Sequence, residues 1–201
     1  MMAKKTTWSD ELASDLLPAL GMIELNSISR GLFLTDVILK KAPVRMIASQ
    51  PVSSGKHVIL FFGDVASVEE SYRAAITEGA GCLVRDILIP SVHEKLVPFL
   101  DSLWEQKPWR AGAGESVGIV ESLSLAGAIL SADRALKVSN VWLSQMRLGQ
   151  GIGGKAFFVL SGRQEDVEVA VQAARECLES LDSLERTDLI TRPQDEALSY
   201  F

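Results

Sequence analysis

The sequence has few of the side chains that build metal centres and disulfide frameworks. Only two of its 201 residues are cysteines, Cys82 and Cys177, and only two are histidines, His57 and His93. The cysteines lack the C-x-x-C spacing, and the histidines stand apart from other ligands. Metal sites built on His and Cys need clusters of these residues, and disulfide frameworks need several cysteines. We therefore expect no disulfide framework, no metal site and a cytosolic chain.

Positive charge and long apolar runs are also scarce. The formal net charge is −6, so there is no general basic field to attract nucleic acid or an anionic membrane. Apolar runs such as 58–62 have the length of buried strands, whereas a membrane span needs about 20 residues. The first residues, MMAKKTTWSDELASDLL, lack the apolar core of a secretion signal. We expect neither nucleic acid nor a membrane as a partner.

What the sequence does contain is an internal repeat. The segment GMIELNSISRGLFLTDVILKKAPV, from Gly21, matches GIVESLSLAGAILSADRALKVSNV, from Gly118. Further along, SGKHVILFFGDVASVEESYRAA matches GGKAFFVLSGRQEDVEVAVQAA. Among the recurring residues are Glu24 with Glu121, Asp36 with Asp133, and Lys40 with Lys137. The chain is thus predicted to hold two copies of one unit, and the repeat explains the paired glutamates without acid–base catalysis. No nucleophile–base or metal constellation appears, so we predict that the protein is not an enzyme.

Each unit is predicted to be an α+β domain, one four-stranded antiparallel sheet with helices on one face. The first has strands at 20–25, 44–49, 57–62 and 83–89 and helices at 28–41 and 66–78. The second has strands at 117–122, 141–147, 156–160 and 183–190 and helices at 125–138 and 165–181. Ser27 and Ser124 are predicted N-caps, and a short helix follows the proline near each unit's end.

Four segments follow from this organisation: an N-terminal extension at 1–19, a first domain at 20–100, a linker at 101–115 and a second domain at 116–201. Pro108, Gly112 and Gly114 mark the linker. In the extension, apolar residues recur every four positions, at Trp8, Leu12 and Leu16. This segment is either a short amphipathic helix that docks on the protein or on a partner, or a frayed tail.

The stretch GQGIGGKA, from Gly149 to Ala156, has the G-x-x-x-x-G-K spacing of a phosphate-binding loop. Such a loop requires a helix after it and a Ser or Thr after the lysine. Here Ala156 follows Lys155, and the next residues, AFFVLSG, are typical of a strand. The matching loop, QPVSSGKH, keeps only Gly-Lys. We predict a hairpin connection without nucleotide. The glycines then serve either turn geometry alone or a close approach of several backbones around an axis.

Several motifs in this order, most of them present in both units, resemble the bacterial microcompartment (BMC) domain. They are a G-x-x-E strand, a helix with D-x-x-x-K (SADRALK and LTDVILK), a glycine loop ending in GK, and an R-P segment near the C-terminus. Two fused copies resemble the tandem-domain shell proteins that form trimers, in unpermuted order and similar to the propanediol-utilization type. The resemblance implies a structural tile in the shell of a microcompartment in the cytoplasm. Its implied partners are two further copies of the chain and hexameric and pentameric shell proteins.

The resemblance further implies that the glycine loops meet at the tile centre and line a pore for small metabolites. The residues that would line it are Val52, Ser53, Ser54, Gly55, Gln150, Gly151, Ile152 and Gly153. Amide N–H groups and serine hydroxyls there favour small polar or anionic solutes. The alternative is a closed, packed loop cluster without a transport role. Some relatives hold an iron–sulfur cluster on a cysteine in the first loop, but this sequence has serine there, a poor ligand, so we expect no cofactor.

At the tile edge, the resemblance implies roles for Lys40 and Lys137 of the D-x-x-x-K helices and for Arg192 of the R-P segment. The first repeat has Ile89 before Pro90, so its arginine is missing. The alternative for each lysine is a solvated helix side chain. Two other functions stay open besides the shell tile: a trimeric module that binds a small metabolite, and a shell electron-transfer protein with a pore cluster.

Overall fold

The computed structural model describes residues 18–101 and 116–198. Most of the predicted N-terminal extension, including its apolar positions, and nearly all of the predicted linker lie outside these residues. Below, the first domain means residues 18–101 and the second means residues 116–198. Within these two ranges, no helix combines the length and the apolar character needed to cross a membrane.

The first domain contains one four-stranded sheet and three helices. In chain order they are β1 (Ala19–Leu25), α1 (Ile28–Lys41), β2 (Arg45–Val52), β3 (Lys56–Gly63), α2 (Val65–Glu78), β4 (Leu83–Ile89) and α3 (Val97–Asp101). A short 3-10 turn, Ser53–Gly55, joins β2 to β3. The strand order is β2-β3-β1-β4, and every neighbouring pair is antiparallel.

The second domain repeats this arrangement. It contains β5 (Ser116–Ser122), α4 (Leu125–Val138), β6 (Trp142–Leu148), β7 (Ala156–Gly162), α5 (Gln164–Ser180), β8 (Leu184–Ile190) and α6 (Asp195–Leu198). The strand order β6-β7-β5-β8 is that of the first domain, again with antiparallel neighbours. The predicted fold class, two α+β domains each with a four-stranded antiparallel sheet, is confirmed.

Local sequence explains where the main helices begin. Ser27 and Ser124 have extended backbones, and each hydroxyl oxygen accepts a hydrogen bond from an amide of the first turn. Both predicted N-caps are therefore confirmed. The predicted bounds of α1 and α4 also agree with the structure. Strand β2 runs three residues beyond its predicted end, through Pro51. A proline fits here because β2 is an edge strand, where a missing N–H costs no ladder bond.

The first sheet is covered on both faces. Because side chains alternate along a strand, Ile23 and Leu25 lie on one face and pack in a cluster with residues of α1 and α2. Leu20 and Met22 lie on the other face and belong to a second cluster. That second cluster also contains residues of α4 and α5 from the second domain. One hydrophobic core thus runs through both domains and fixes their relative position.

Candidate functional site

The two glycine loops lie side by side. The β2–β3 connection and the β6–β7 connection, residues 52–55 and 149–154, are called the loop pair below. The Gly151 N–H donates to Ser53 Oγ at 3.1 Å, and Ser54 Oγ donates to the Gly153 carbonyl at 3.0 Å. The resemblance implies that the glycine loops meet at the tile centre, and within one chain the two loops are already in direct contact.

The backbone of the loop pair explains its glycine content. Four glycines of the second loop, Gly149, Gly151, Gly153 and Gly154, have φ between 67° and 80°, a region that other residues adopt at a cost. The following residues form β7, which pairs antiparallel with β6. The prediction of a hairpin connection is confirmed, and the strand–loop–helix geometry of a phosphate-binding loop is absent.

Most of the predicted pore residues lie at the surface of the loop pair. The exposed ones are Ser54, Gly55, Gln150, Gly151 and Gly153, and Ser53 and Ile152 are half-buried. Val52 differs because it is only 7% exposed and belongs to the hydrophobic core. Its side chain lies beneath Gly149. The structure thus places Val52 under the loops and not on their open surface, because strand β2 continues to this residue and turns its side chain inward.

Next to the loops, a buried carboxylate joins the two domains. Glu24 of β1 is 0% exposed. Its Oε1 lies 2.8 Å from Lys56 Nζ, and its Oε2 accepts from Ser124 Oγ at 3.1 Å. A buried charge needs both an opposite charge and hydrogen bonds, and Glu24 has both. Sequence reasoning singled out Glu24 and Ser124 separately, but only the fold shows that they meet.

A second polar contact between the domains lies at the far end of α4. Asp133 Oδ1 accepts from the backbone N–H of His93 at 2.8 Å. Lys137 Nζ binds Asp133 Oδ2 at 2.6 Å and the Ser91 carbonyl at 2.5 Å. Lys137 was predicted at a tile edge, and in the chain its ammonium also holds the two domains together. We call the face between α4 and the first domain, with Glu24, Ser124, Asp133 and Lys137, the domain seam.

The other predicted edge residues are more open. Lys40 pairs with Asp36 at 2.5 Å, and their side chains are 75% and 60% exposed. Arg192 is exposed and has a positive φ of 49°. Because β4 ends at Ile89 and β8 ends at Ile190, the structural counterpart of Arg192 is Ser91. The first repeat therefore lacks the arginine, as predicted, but Ser91 stands in its place and not Ile89.

We next located the cysteines and the other residues that could ligate a metal. Among residues 18–101 and 116–198, no group of three or more His, Cys, Asp or Glu could hold a metal ion. Cys177 is buried, and its burial raises the pKa of the thiol, which keeps it protonated and unreactive. Cys82 precedes β4 and is half-buried. Neither cysteine lies in the loop pair.

Comparisons with known proteins agree with this architecture. The BMC domain family matches twice, at residues 19–92 and 116–193. The bacterial microcompartment shell protein PduT of Citrobacter freundii is 33% identical over 177 residues, 88% of this chain and 94% of that protein. A solved microcompartment protein from Desulfitobacterium hafniense DCB has a TM-score of 0.77 at 33% identity, covering 90% of this chain and 98% of that one.

A more distant structure shares the fold alone. The double ringed trimeric shell protein MSM0271 from the RMM microcompartment has a TM-score of 0.61 at 15% identity, covering 81% of this chain and 83% of that chain. Two family matches, together spanning most of the chain, and relatives at 33% identity along nearly its full length leave one conclusion. The chain belongs to the BMC domain family and is a tandem-domain shell protein of a bacterial microcompartment, with a structural and not a catalytic role.

Proposed function

We propose that three copies of the chain assemble around an axis into a pseudohexameric tile, with the loop pairs at its centre forming a pore for small metabolites. The tile sits among hexameric and pentameric shell proteins. The observation that carries this proposal is an unequal exposure of equivalent helix positions in the two domains. Helices α1 and α4 have the same length and are related by the internal repeat, yet only one of them is covered.

Helix α4 is buried where α1 is open. Leu32 of α1 is 59% exposed, and its counterpart on α4, Ile129, is 0% exposed. Ile28 and Leu39 are likewise exposed, whereas their counterparts, Leu125 and Leu136, are buried. The first domain covers α4 in the domain seam, and nothing in the described chain covers α1 in that way. A contiguous apolar face of this kind indicates a protein interface.

The matching surface is open on the second sheet. In the first domain, Met22, Glu24 and Val58 are fully buried on the sheet face that carries α4. Their counterparts in the second domain, Ile119, Glu121 and Phe157, are only half-buried. One chain therefore carries an uncovered helix and an uncovered sheet face of complementary type. Such head-to-tail surfaces close into a ring when the rotation permits, and a tandem chain supplies two of six positions.

The pore follows from the position of the loop pair. Its surface consists of glycine backbone, the Ser54 hydroxyl and the Gln150 amide, with no charged side chain among residues 52–55 and 149–154. Three loop pairs around an axis would present uncharged polar groups to a solute, namely glycine backbone and the side chains of Ser54 and Gln150. This lining suits small polar or anionic metabolites. Val52, which lies beneath the loops, forms part of the packed base of the pore.

The outer edge of the tile carries Lys40, Lys137 and Arg192 in this proposal. Lys137 uses two ammonium donors inside the chain, and a lysine has three, so one donor is left for a neighbouring tile. Arg192 is exposed and offers a planar set of donors. Lateral contacts between tiles would then join them into a continuous shell layer, with the pore at the centre of each tile.

Substitution of Leu32 tests the assembly. For the chain of 21.8 kDa, light scattering should give a native mass roughly three times as large, as closure of head-to-tail surfaces into a ring requires. We expect Leu32→Glu to give a folded monomer, because this exposed side chain contributes only about 0.5 kcal/mol or less to the stability of one chain.

Ile129→Glu is the matched control, because it makes the same change at the equivalent position of α4. It should lower the free energy of unfolding by several kcal/mol, on the order of 3 or more, since it buries an unpaired charge in the domain seam. A wild-type chain that stays monomeric, or a Leu32→Glu chain that keeps the mass of a trimer, would contradict the proposed tile.

A further inference from the structure

The domain seam contains a built polar site whose parts recur elsewhere in the chain. At this site one oxygen of the buried Glu24 carboxylate forms an ion pair with Lys56, and the other accepts a hydrogen bond from the Ser124 hydroxyl. Ser124 is also the N-cap of α4, and its oxygen accepts from the Gly127 N–H at 3.2 Å. The serine thus accepts from its own helix and donates to the carboxylate of the neighbouring domain.

The repeat places the same three groups, a glutamate, a lysine and a serine N-cap, on the uncovered sheet face of the second domain and on the uncovered helix α1. Glu121 on β5 is the counterpart of Glu24, and Lys155 is the counterpart of Lys56. Lys155 Nζ lies 2.5 Å from Glu185 in the single chain. This hydrogen bond is the main cause of the raised pKa of Lys155, and the charge of Glu121 adds to it. Lys155 directly precedes β7, which pairs with β5 in the sheet, and Glu121 of β5 is half-buried.

Ser27 supplies the third group on α1. Like Ser124, it caps its helix, accepting from the Arg30 N–H at 3.3 Å. Its oxygen lies 3.3 Å from Ser29 Oγ, a long contact on the helix surface. Its hydroxyl proton is thus available for a stronger acceptor. On the covered helix, the same proton goes to a carboxylate of another domain.

The second contact of the domain seam recurs in the same way. Asp36 and Lys40 form the same i,i+4 pair as Asp133 and Lys137, but without a partner domain over them. In the covered copy, the aspartate accepts from the His93 N–H. By the equivalent ends of β4 and β8, the counterpart of His93 is Gln194.

We propose that each seam between copies of this chain repeats the domain seam. Glu121 of one copy accepts a hydrogen bond from the Ser27 hydroxyl of the next copy. Asp36 of that next copy accepts a hydrogen bond from the backbone N–H of Gln194 of the first copy. Lys155 then neutralises Glu121 as Lys56 neutralises Glu24. The occupant of the open sheet is therefore a second copy of this chain. This inference rests on the proposed trimer and specifies the polar contacts that close it.

Ser27→Asp tests the contact without removing the helix cap, because aspartate is also a good N-cap residue. It places a second carboxylate against Glu121, and like charges brought together at an interface are strongly unfavourable. We expect the trimer to dissociate at protein concentrations on the order of 100-fold higher than wild type. Dilution series followed by light scattering measure this shift. The double variant Ser27→Asp/Glu121→Gln should recover the trimer, because the amide can donate to the new carboxylate.

Gln164→Asp is the matched control. It adds the same charge at the first residue of α5, an exposed helix start outside both seams, and should leave the dissociation unchanged. If the wild-type chain is a trimer, two results would overturn the proposed contact. The Ser27→Asp trimer would dissociate at the same concentration as wild type, or the double variant would fail to recover the trimer. A wild-type chain that is monomeric at every concentration would instead overturn the trimer itself.

Discussion

His57 is buried in the first domain at the end of a short series of hydroxyl groups. Its Nε2 lies 2.9 Å from Ser49 Oγ, which lies 2.6 Å from Thr35 Oγ1, and Thr35 donates to the Gly31 carbonyl at 2.9 Å. The His57 Nδ1 atom is buried without a hydrogen-bond partner among the described residues. Burial lowers the pKa of His57 from its ordinary value of 6.5, because a charged ring would be poorly solvated there.

This lowered pKa makes stability depend on pH. As pH falls through 6.5, the unfolded chain takes up a proton at His57 more readily than the folded chain does, so folded stability is lost toward acid. Denaturant titrations at about pH 7.5 and about pH 5.5 should show a larger loss of unfolding free energy for wild type than for His57→Gln, which stays neutral. The pKa of His93 is lowered too, and this effect is common to both proteins. Equal losses in the two proteins would show that His57 does not titrate in this way.

At the scale of single elements, each glycine loop holds the other. The Gly151 N–H is bonded to Ser53 Oγ, so Ser53→Ala should leave this amide without its partner and raise its hydrogen exchange. We expect a rise of roughly fivefold, since an exposed hydrogen bond contributes about 1 kcal/mol. Ser144→Ala is the control, because it removes a serine hydroxyl of β6 that contacts Ser161 of β7 and not the loop pair. Unchanged exchange of Gly151 in Ser53→Ala would mean that the loops are positioned by their own backbones.

The elements were predictable from sequence to the extent that their causes are local. The bounds of α1 and α4 follow from their serine caps and apolar spacing. The hairpin connection at 149–154 follows from the strand-like residues that come directly after it in the sequence. The burial of Glu24 was not predictable, because its partner Ser124 lies in the other domain. The resemblance implies that Val52 lines the pore because of its position in the loop motif, whereas the strand that buries it runs on through Pro51. Sequence thus predicts which positions recur, and the fold shows which recurring positions are covered.

At the scale of the whole molecule, fusing two domains makes one seam permanent and leaves an equivalent one open. The domain seam combines a hydrophobic core with buried, fully paired charges. An equivalent seam between copies would need no new kind of contact, only the same surfaces on separate chains. Two sequences of the same unit can also diverge, so the six loops around the proposed pore alternate between a serine-containing loop and a glycine-rich one. In the proposed tile, the fusion would therefore give threefold and not sixfold symmetry at the centre.

Arg192 provides a test of tiling that leaves the trimer intact. Because its φ is 49°, we choose Arg192→Asn, which removes the charge and tolerates this left-handed backbone. Light scattering should show an unchanged trimer mass. Sheets formed with hexameric shell partners, observed by electron microscopy, should require roughly tenfold more protein, since a hydrogen bond to a charged group contributes about 1.5–3 kcal/mol. Arg73→Asn is the matched control, because Arg73 is exposed on α2 and pairs only with the nearby Glu69 in the contacts described. Sheets that form equally well in Arg192→Asn and Arg73→Asn would remove Arg192 from the tile edge and leave the lateral contacts to Lys40 and Lys137.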